Sequence, residues 1–147
     1  MCIRDRVKIE VVESILEYAL QNNIDSLDTA PSYGNCEEIL GCTGVDNFKI
    51  ITKTIPLKDN IDEVIYNFHY SLNKLNADNV DGLLIHNIDD IKKNQFDNLY
   101  RKIIELKNNG FVNKIGFSCY EPSQIDFLLN HFDFDLIPVS YTHLTLP

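Results

Sequence analysis

The chain has 147 residues, of which 44% are hydrophobic, so it is long and apolar enough for one domain with a core and is not a disordered segment. Its formal net charge of −9 repels phosphate backbones, which excludes nucleic acid as the expected partner. No apolar run approaches the roughly 18 residues of a membrane span, and the charged N-terminus does not suit a signal peptide, so we expect a cytoplasmic protein with no membrane partner.

Amphipathic helices and short apolar strands alternate along the chain. In chain order, the patterns predict a helix at 7–21, a strand at 24–28, a helix at 37–40, a strand at 49–53, a helix at 60–75, a strand at 82–86, a helix at 95–109, a strand at 114–118, a helix at 122–132 and a strand at 134–139. Asp59 is the expected N-cap of the 60–75 helix, and Gly41 is expected to end the short helix before it.

Continuous apolar strands between amphipathic helices are typical of a parallel sheet covered by helices. A dinucleotide-binding sheet would carry a Gly-rich phosphate loop after its first strand, and residues 27–34 contain no such motif. The predicted fold class is therefore α/β, an incomplete (β/α)8 TIM barrel with about five parallel strands and flanking helices.

A polar residue ends each of four consecutive strands. These residues are Asp28, Lys53, His86 and Ser118, at intervals of 25, 33 and 32 residues. In parallel α/β folds the carboxyl ends of the strands form the active face. We therefore expect these four side chains to gather at one edge of the sheet.

The residue types at this edge suit the reduction of a carbonyl group or the reverse oxidation. A tyrosine hydroxyl has an ordinary pKa of about 10, and an ammonium group beside it stabilises the phenolate. Tyr33 and Lys53 can form such a pair, and Asp28 can supply the carboxylate that a buried lysine needs. His86 can donate a hydrogen bond to a substrate oxygen.

Several motifs resemble the aldo-keto reductase family. They are SLDTAPSYG at 26–34, EEILG at 37–41, ITK at 51–53, LLIH at 83–86 and KIGFS at 114–118. Each motif is short, but their order and spacing are specific, and together they cover roughly residues 7–137. The resemblance implies a TIM barrel that reduces small-molecule aldehydes or ketones; it leaves the substrate and the oligomeric state open.

The resemblance also implies a role for each residue at the strand ends. Tyr33 is expected to be the general acid, Lys53 to assist it, Asp28 to hold Lys53, and His86 to orient the carbonyl group. The family transfers hydride from NADPH or NADH and uses no metal. Ser118 matches a residue that hydrogen-bonds the nicotinamide carboxamide.

The chain departs from the family pattern at two places. The residue after that serine is usually Asn, whereas this chain has Cys119, and Pro138 stands where the family has Gln. All four cysteines (Cys2, Cys36, Cys42 and Cys119) lack metal-ligand spacing, so we expect free thiols and no metal. The abundance of Asn and Ile, 16 and 18 residues against three Ala, is typical of an AT-rich bacterial genome.

The family's domain is expected to occupy residues 7–138, with residues 1–6 and 139–147 as non-native tails. A complete barrel takes about 250 residues, and the family places most cofactor-phosphate contacts after its seventh and eighth strands. We therefore expect the isolated chain to be inactive, and to aggregate because it exposes sheet edges.

Two other functions stay open at this point. Lys53 could form a Schiff base, as in barrel aldolases, although Asp28 and Tyr33 would then have no clear task. The chain could also belong to a non-catalytic binding or regulatory relative. The pair Asp89 and Asp90 is interpreted as a solvated loop after the His86 strand.

Overall fold

The computed structural model describes residues 8–138. Helices and strands follow one another in the predicted order. The elements are α1 (Ile9–Gln21), β1 (Ser26–Asp28), α2 (Cys36–Thr43), β2 (Lys49–Lys53), α3 (Ile61–Leu75), β3 (Val80–Ile85), a 3-10 helix (Ile88–Lys92), α4 (Phe96–Asn108), β4 (Val112–Phe117) and α5 (Pro122–His131). The expected tails at 1–6 and 139–147 lie outside the described residues.

The four strands form one parallel sheet in the order β1-β2-β3-β4. Asp28 is paired with Ile51, Lys53 with Leu84, and Ile85 with Phe117. This register brings the carboxyl ends of all four strands to one edge of the sheet. The α/β class is confirmed.

Over residues 134–138, the described part of the strand expected at 134–139, the segment forms one isolated parallel bridge, between Gly116 and Leu136. Asp135 interrupts the ladder at the start of this segment. Its side-chain Oδ2 accepts a hydrogen bond from Ile115 N at 2.8 Å, so a carboxylate takes the donor that a regular ladder would give to a backbone carbonyl. Within residues 8–138 the sheet has four strands, and the 134–138 segment lies against β4, where Phe117 N donates to Leu136 O at 3.1 Å.

The core lies between the sheet and the helices, and α3 shows why the sequence folds this way. Its buried side chains are Val64, Phe68, Ser71, Leu72 and Leu75, which recur at the three- and four-residue spacing of one helix face. The N-cap of the helix is Asn60 rather than the expected Asp59. The Asn60 side chain accepts a hydrogen bond from Asp62 N at 2.9 Å, as an N-cap requires.

Gly41 does not end the short helix; α2 continues through it to Thr43, and Gly44 follows with a φ of 79°. A Cβ atom at position 41 would overlap the carbonyl oxygen of Lys74 at the end of α3. Gly41 therefore allows α2 and α3 to approach closely. Among residues 8–138, no helix combines the length and apolar character needed to cross a membrane.

Candidate active site

The carboxyl edge of the sheet carries the residues that the sequence singled out. Asp28 and Lys53 are the last residues of β1 and β2, and His86 and Ser118 directly follow β3 and β4. Parallel pairing continues just beyond the strand ends: Thr54 N donates to Leu84 O at 2.8 Å and Ser118 N donates to Ile85 O at 3.0 Å. The backbone therefore holds these positions side by side.

Lys53 is the buried centre of the site. Its side chain is 4% exposed, and Nζ lies 2.6 Å from Asp28 Oδ2 and 2.9 Å from the backbone oxygen of Thr29. The Asp28 side chain is 53% exposed, so the carboxylate faces solvent while the ammonium does not. A buried charge is tolerated when it is paired and hydrogen-bonded, and Asp28 and Thr29 together meet that requirement.

Tyr33 is carried by the turn that follows β1. The turn is closed by a hydrogen bond from Tyr33 N to Ala30 O at 3.0 Å, and Gly34 follows with a φ of 65°. Lys53 Nζ lies 4.9 Å from the centre of the Tyr33 ring, and the residue is 46% exposed. The Tyr33 ring therefore has the ammonium over its face and is also accessible to solvent.

The His86 ring completes the cluster. Its centre lies 6.3 Å from that of Tyr33, and the two rings are nearly perpendicular, at 89°. Its backbone N–H donates to Thr54 Oγ1 at 3.3 Å. Burial lowers the pKa of His86 below its ordinary 6.5, the positive charge of Lys53 lowers it further, and Asp28 opposes both. His86 is therefore neutral at pH 7 and can donate one N–H.

Ser118 and Cys119 lie one strand beyond His86. Both residues are buried, Ser118 with 7% exposure and Cys119 with none. Burial raises the pKa of the Cys119 thiol, so the group is uncharged at neutral pH. The position where the family pattern has an amide thus holds a small neutral side chain.

Sequence analysis assigned no role to residues that hold the backbone segments of the cluster in place. Thr54 links the Lys53 and His86 segments, and the buried Glu37 bonds the side chain of Thr52. Glu37 and Thr52 lie in the EEILG and ITK motifs, which is the signal that could have identified them, whereas Thr54 lies in none of the motifs. Within the described part of the chain, no group of three His, Cys, Asp or Glu side chains could hold a metal ion.

The interpretation of Asp89 and Asp90 as one solvated loop is wrong for Asp90. Asp89 is exposed and pairs with Lys92, but Asp90 is fully buried. Its carboxylate accepts from Leu57 N at 2.8 Å and from Lys93 Nζ at 2.8 Å. Asp90 therefore connects the loop after β2 to the 3-10 helix after β3, and both of these segments follow strands at the carboxyl edge of the sheet.

The model of the aldo/keto reductase family matches residues 4–146. This chain belongs to that family. The family prediction made from the motifs is therefore confirmed.

Two relatives show how much of an aldo-keto reductase the chain represents. It is 29% identical over 126 residues to an aldo-keto reductase of Mycobacterium sp. strain JLS, covering 82% of this chain and 45% of that protein. It is 27% identical over 130 residues to the D-arabinose 1-dehydrogenase of Saccharomyces cerevisiae, covering 80% and 38%. The chain thus spans less than half the length of these relatives.

A solved structure shows the same fold. The holo form of an aldo-keto reductase from Bacillus halodurans superposes with a TM-score of 0.74, at 24% identity, over 92% of this chain and 48% of that one. The parallel sheet and its helices correspond to about half of that barrel, so the predicted partial TIM barrel is confirmed.

Proposed function

We propose that the protein carrying this chain is an oxidoreductase that reduces an aldehyde or ketone with NADPH or NADH, and that Tyr33 is its general acid. The observation that carries the proposal is the position of the Lys53 ammonium, 2.6 Å from Asp28 and 4.9 Å from the centre of the Tyr33 ring. A buried cation beside a half-exposed phenol is the arrangement that proton donation to a carbonyl oxygen needs.

The proton transfer follows from these contacts. When the carbonyl carbon accepts hydride, negative charge develops on the carbonyl oxygen and Tyr33 gives that oxygen its proton. The phenolate left behind is stabilised by the Lys53 charge, which is strong in a buried site. Asp28 and the Thr29 carbonyl keep Lys53 in place throughout.

His86 has a separate task in the proposal. Because burial and Lys53 keep its ring neutral at pH 7, it offers one N–H to the substrate oxygen without competing with Tyr33 as a strong acid. Its ring stands beside and perpendicular to that of Tyr33, so both side chains can reach the same oxygen.

The residues present fit a nicotinamide cofactor at Ser118. A carboxamide has one acceptor oxygen and one amino donor, and a serine hydroxyl can both donate and accept. Ser118 is buried one strand from His86, and the neighbouring Cys119 is neutral, so no charge opposes the amide there. When bound, the cofactor supplies the hydride.

The Schiff-base alternative is weaker on this geometry. An amine that attacks a carbonyl group must be free of its proton, whereas a carboxylate 2.6 Å from Lys53 Nζ stabilises the ammonium. Borohydride trapping of a carbonyl compound on Lys53 would revive that alternative.

The substrate is proposed to be a small carbonyl compound or its alcohol. The relative named D-arabinose 1-dehydrogenase places a sugar among the compounds to be tried. We also propose that residues 7–138 form the barrel domain, and that the protein works in the cytoplasm, in keeping with its acidic charge and free thiols.

The test compares two tyrosine variants of the full gene product that carries this chain. Oxidation of NADPH or NADH is followed with a panel of aldehydes and ketones, and the reverse reaction with D-arabinose. Tyr33→Phe is expected to lower kcat by about 10²-fold or more, since it removes the acid. Tyr70→Phe is the matched control, because Lys74 lies 4.7 Å from the Tyr70 ring on α3. Equal rates for the parent and Tyr33→Phe would refute the assignment.

A further inference from the structure

Glu37 is a buried carboxylate that joins three elements of the fold. It lies in the first turn of α2 and is 2% exposed. Its Oε1 accepts a hydrogen bond from Thr52 Oγ1 on β2 at 2.7 Å, and its Oε2 accepts one from Ser71 Oγ on α3 at 2.9 Å. Both oxygens of the carboxylate therefore have hydroxyl donors from separate elements.

The hydrogen bond from Thr52 connects Glu37 to the candidate active site. Thr52 precedes Lys53 in β2, and successive strand side chains point to opposite faces of the sheet. Thr52 therefore points to the face opposite the one that carries the Lys53 ammonium, and fixing its hydroxyl fixes the strand end. Ser71 lies on α3, so its hydroxyl is not adjacent in the chain to the strand end that carries Lys53.

The backbone next to Glu37 is hydrogen-bonded to the turn that carries Tyr33. Glu37 follows Tyr33 by four residues, and Cys36 N at the start of α2 donates to Tyr33 O at 3.2 Å. The turn that carries Tyr33 is thus attached to the first turn of α2. One carboxylate connects the segment of Tyr33 with the segment of Lys53.

We propose that Glu37 is a positioning residue that sets the distance between the Tyr33 phenol and the Lys53 ammonium, acting through Thr52. The proposal rests on the proposed function, in which Lys53 stabilises the Tyr33 phenolate. A carboxylate suits this role because it accepts from two hydroxyls at once, and because an anion is favoured in the first turn of a helix.

The experiment removes each hydroxyl bond separately in the full gene product. Thr52→Val keeps the side-chain shape and loses the bond to Oε1, whereas Ser71→Ala loses the bond to Oε2. Glu37→Asp keeps the charge but shortens the side chain, which withdraws the carboxylate from both hydroxyls. Thr52→Ser retains the hydroxyl and is the rescue variant. The kcat and KM of carbonyl reduction are measured for each variant, and thermal unfolding shows which variants are folded.

Thr52→Val is expected to lower kcat about tenfold with KM little changed, since a misplaced catalytic pair costs rate rather than binding. Glu37→Asp should show the same loss of kcat with KM little changed, and Thr52→Ser and Ser71→Ala should keep the parent kcat and KM. Ser71→Ala loses a comparable hydrogen bond, so a purely structural role would affect it as much as Thr52→Val.

The proposal is overturned if Thr52→Val keeps the parent kcat, or if Ser71→Ala lowers kcat equally. If Thr52→Val does not fold, an unchanged kcat for Glu37→Asp overturns it instead. Tyr33→Phe is measured alongside: full activity in that variant defeats the proposed function itself, whereas an inactive Tyr33→Phe beside an unaffected Thr52→Val defeats only the role of Glu37.

Discussion

Replacing Asp90 by Ala should destabilise the protein strongly, although the residue lies in a short 3-10 helix outside the sheet and the long helices. Asp90 is fully buried, and its carboxylate accepts hydrogen bonds from Leu57 N, Lys93 Nζ and Asn87 Nδ2. Lys93 also donates to the carbonyl oxygen of Leu57. Without the carboxylate, the buried Leu57 N–H loses its acceptor, and the Lys93 ammonium loses its ion-pair partner and keeps only the Leu57 carbonyl oxygen.

The magnitude follows from these contacts. A buried backbone donor left without a partner costs about 1–3 kcal/mol. The contribution of Lys93 is smaller, about 1 kcal/mol, because its side chain is 41% exposed and water replaces part of the lost interaction. The expected total is about 3 kcal/mol, or a decrease in Tm of about 6–12 °C. Asp90→Asn retains an acceptor for Leu57 and should lose about 1 kcal/mol.

Thermal unfolding of the full gene product, followed by circular dichroism, measures these differences. The adjacent residue supplies the control, because Asp89 is exposed and makes only a surface pair with Lys92. Asp89→Ala should leave Tm unchanged. A Tm for Asp90→Ala close to that of the parent, or an equal decrease for Asp89→Ala, would show that the buried carboxylate does not hold the two loops together.

Two further predictions concern the histidine and a glycine. The His86 ring, titrated by NMR, should have a pKa below 6.5. Lys53→Met should raise that pKa because the variant loses a positive charge that lowers it, and an unchanged pKa would contradict this cause. As pH falls, the unfolded chain binds the His86 proton at a higher pH than the folded protein does, so the free energy of unfolding should decrease as pH falls below 6.5. Gly41→Ala should destabilise by about 1–2 kcal/mol although Ala normally favours a helix, because its Cβ overlaps the Lys74 carbonyl oxygen. Cys42→Ala, at an exposed position of the same helix, is the control and should change stability by less than about 0.5 kcal/mol in urea unfolding.

The sheet and the residues at its carboxyl edge could be predicted from the sequence, because the patterns that determine them are local. Apolar runs separated by amphipathic helices predict a parallel sheet, and such a sheet places the ends of its strands together. Asp28, Lys53 and His86 could therefore be assigned to one edge without knowledge of any distance between them.

The features that sequence analysis missed depend on contacts between distant segments. Asp89 and Asp90 are chemically identical neighbours, but Asp90 accepts a hydrogen bond from Leu57, 33 residues earlier, whereas Asp89 is exposed. The irregular start of the last segment also depends on a distant contact, since Asp135 accepts from Ile115, 20 residues away. No local pattern contains such information.

Tyr33 differs from the other members of the cluster in how its backbone is supported. The ladder of the sheet holds Asp28 and Lys53 and extends to the neighbours of His86, whereas Tyr33 lies in a short turn with its own closing hydrogen bond. Sequence changes confined to that turn can therefore alter the placement of the Tyr33 side chain while the backbone ladder that carries Asp28 and Lys53 stays in register.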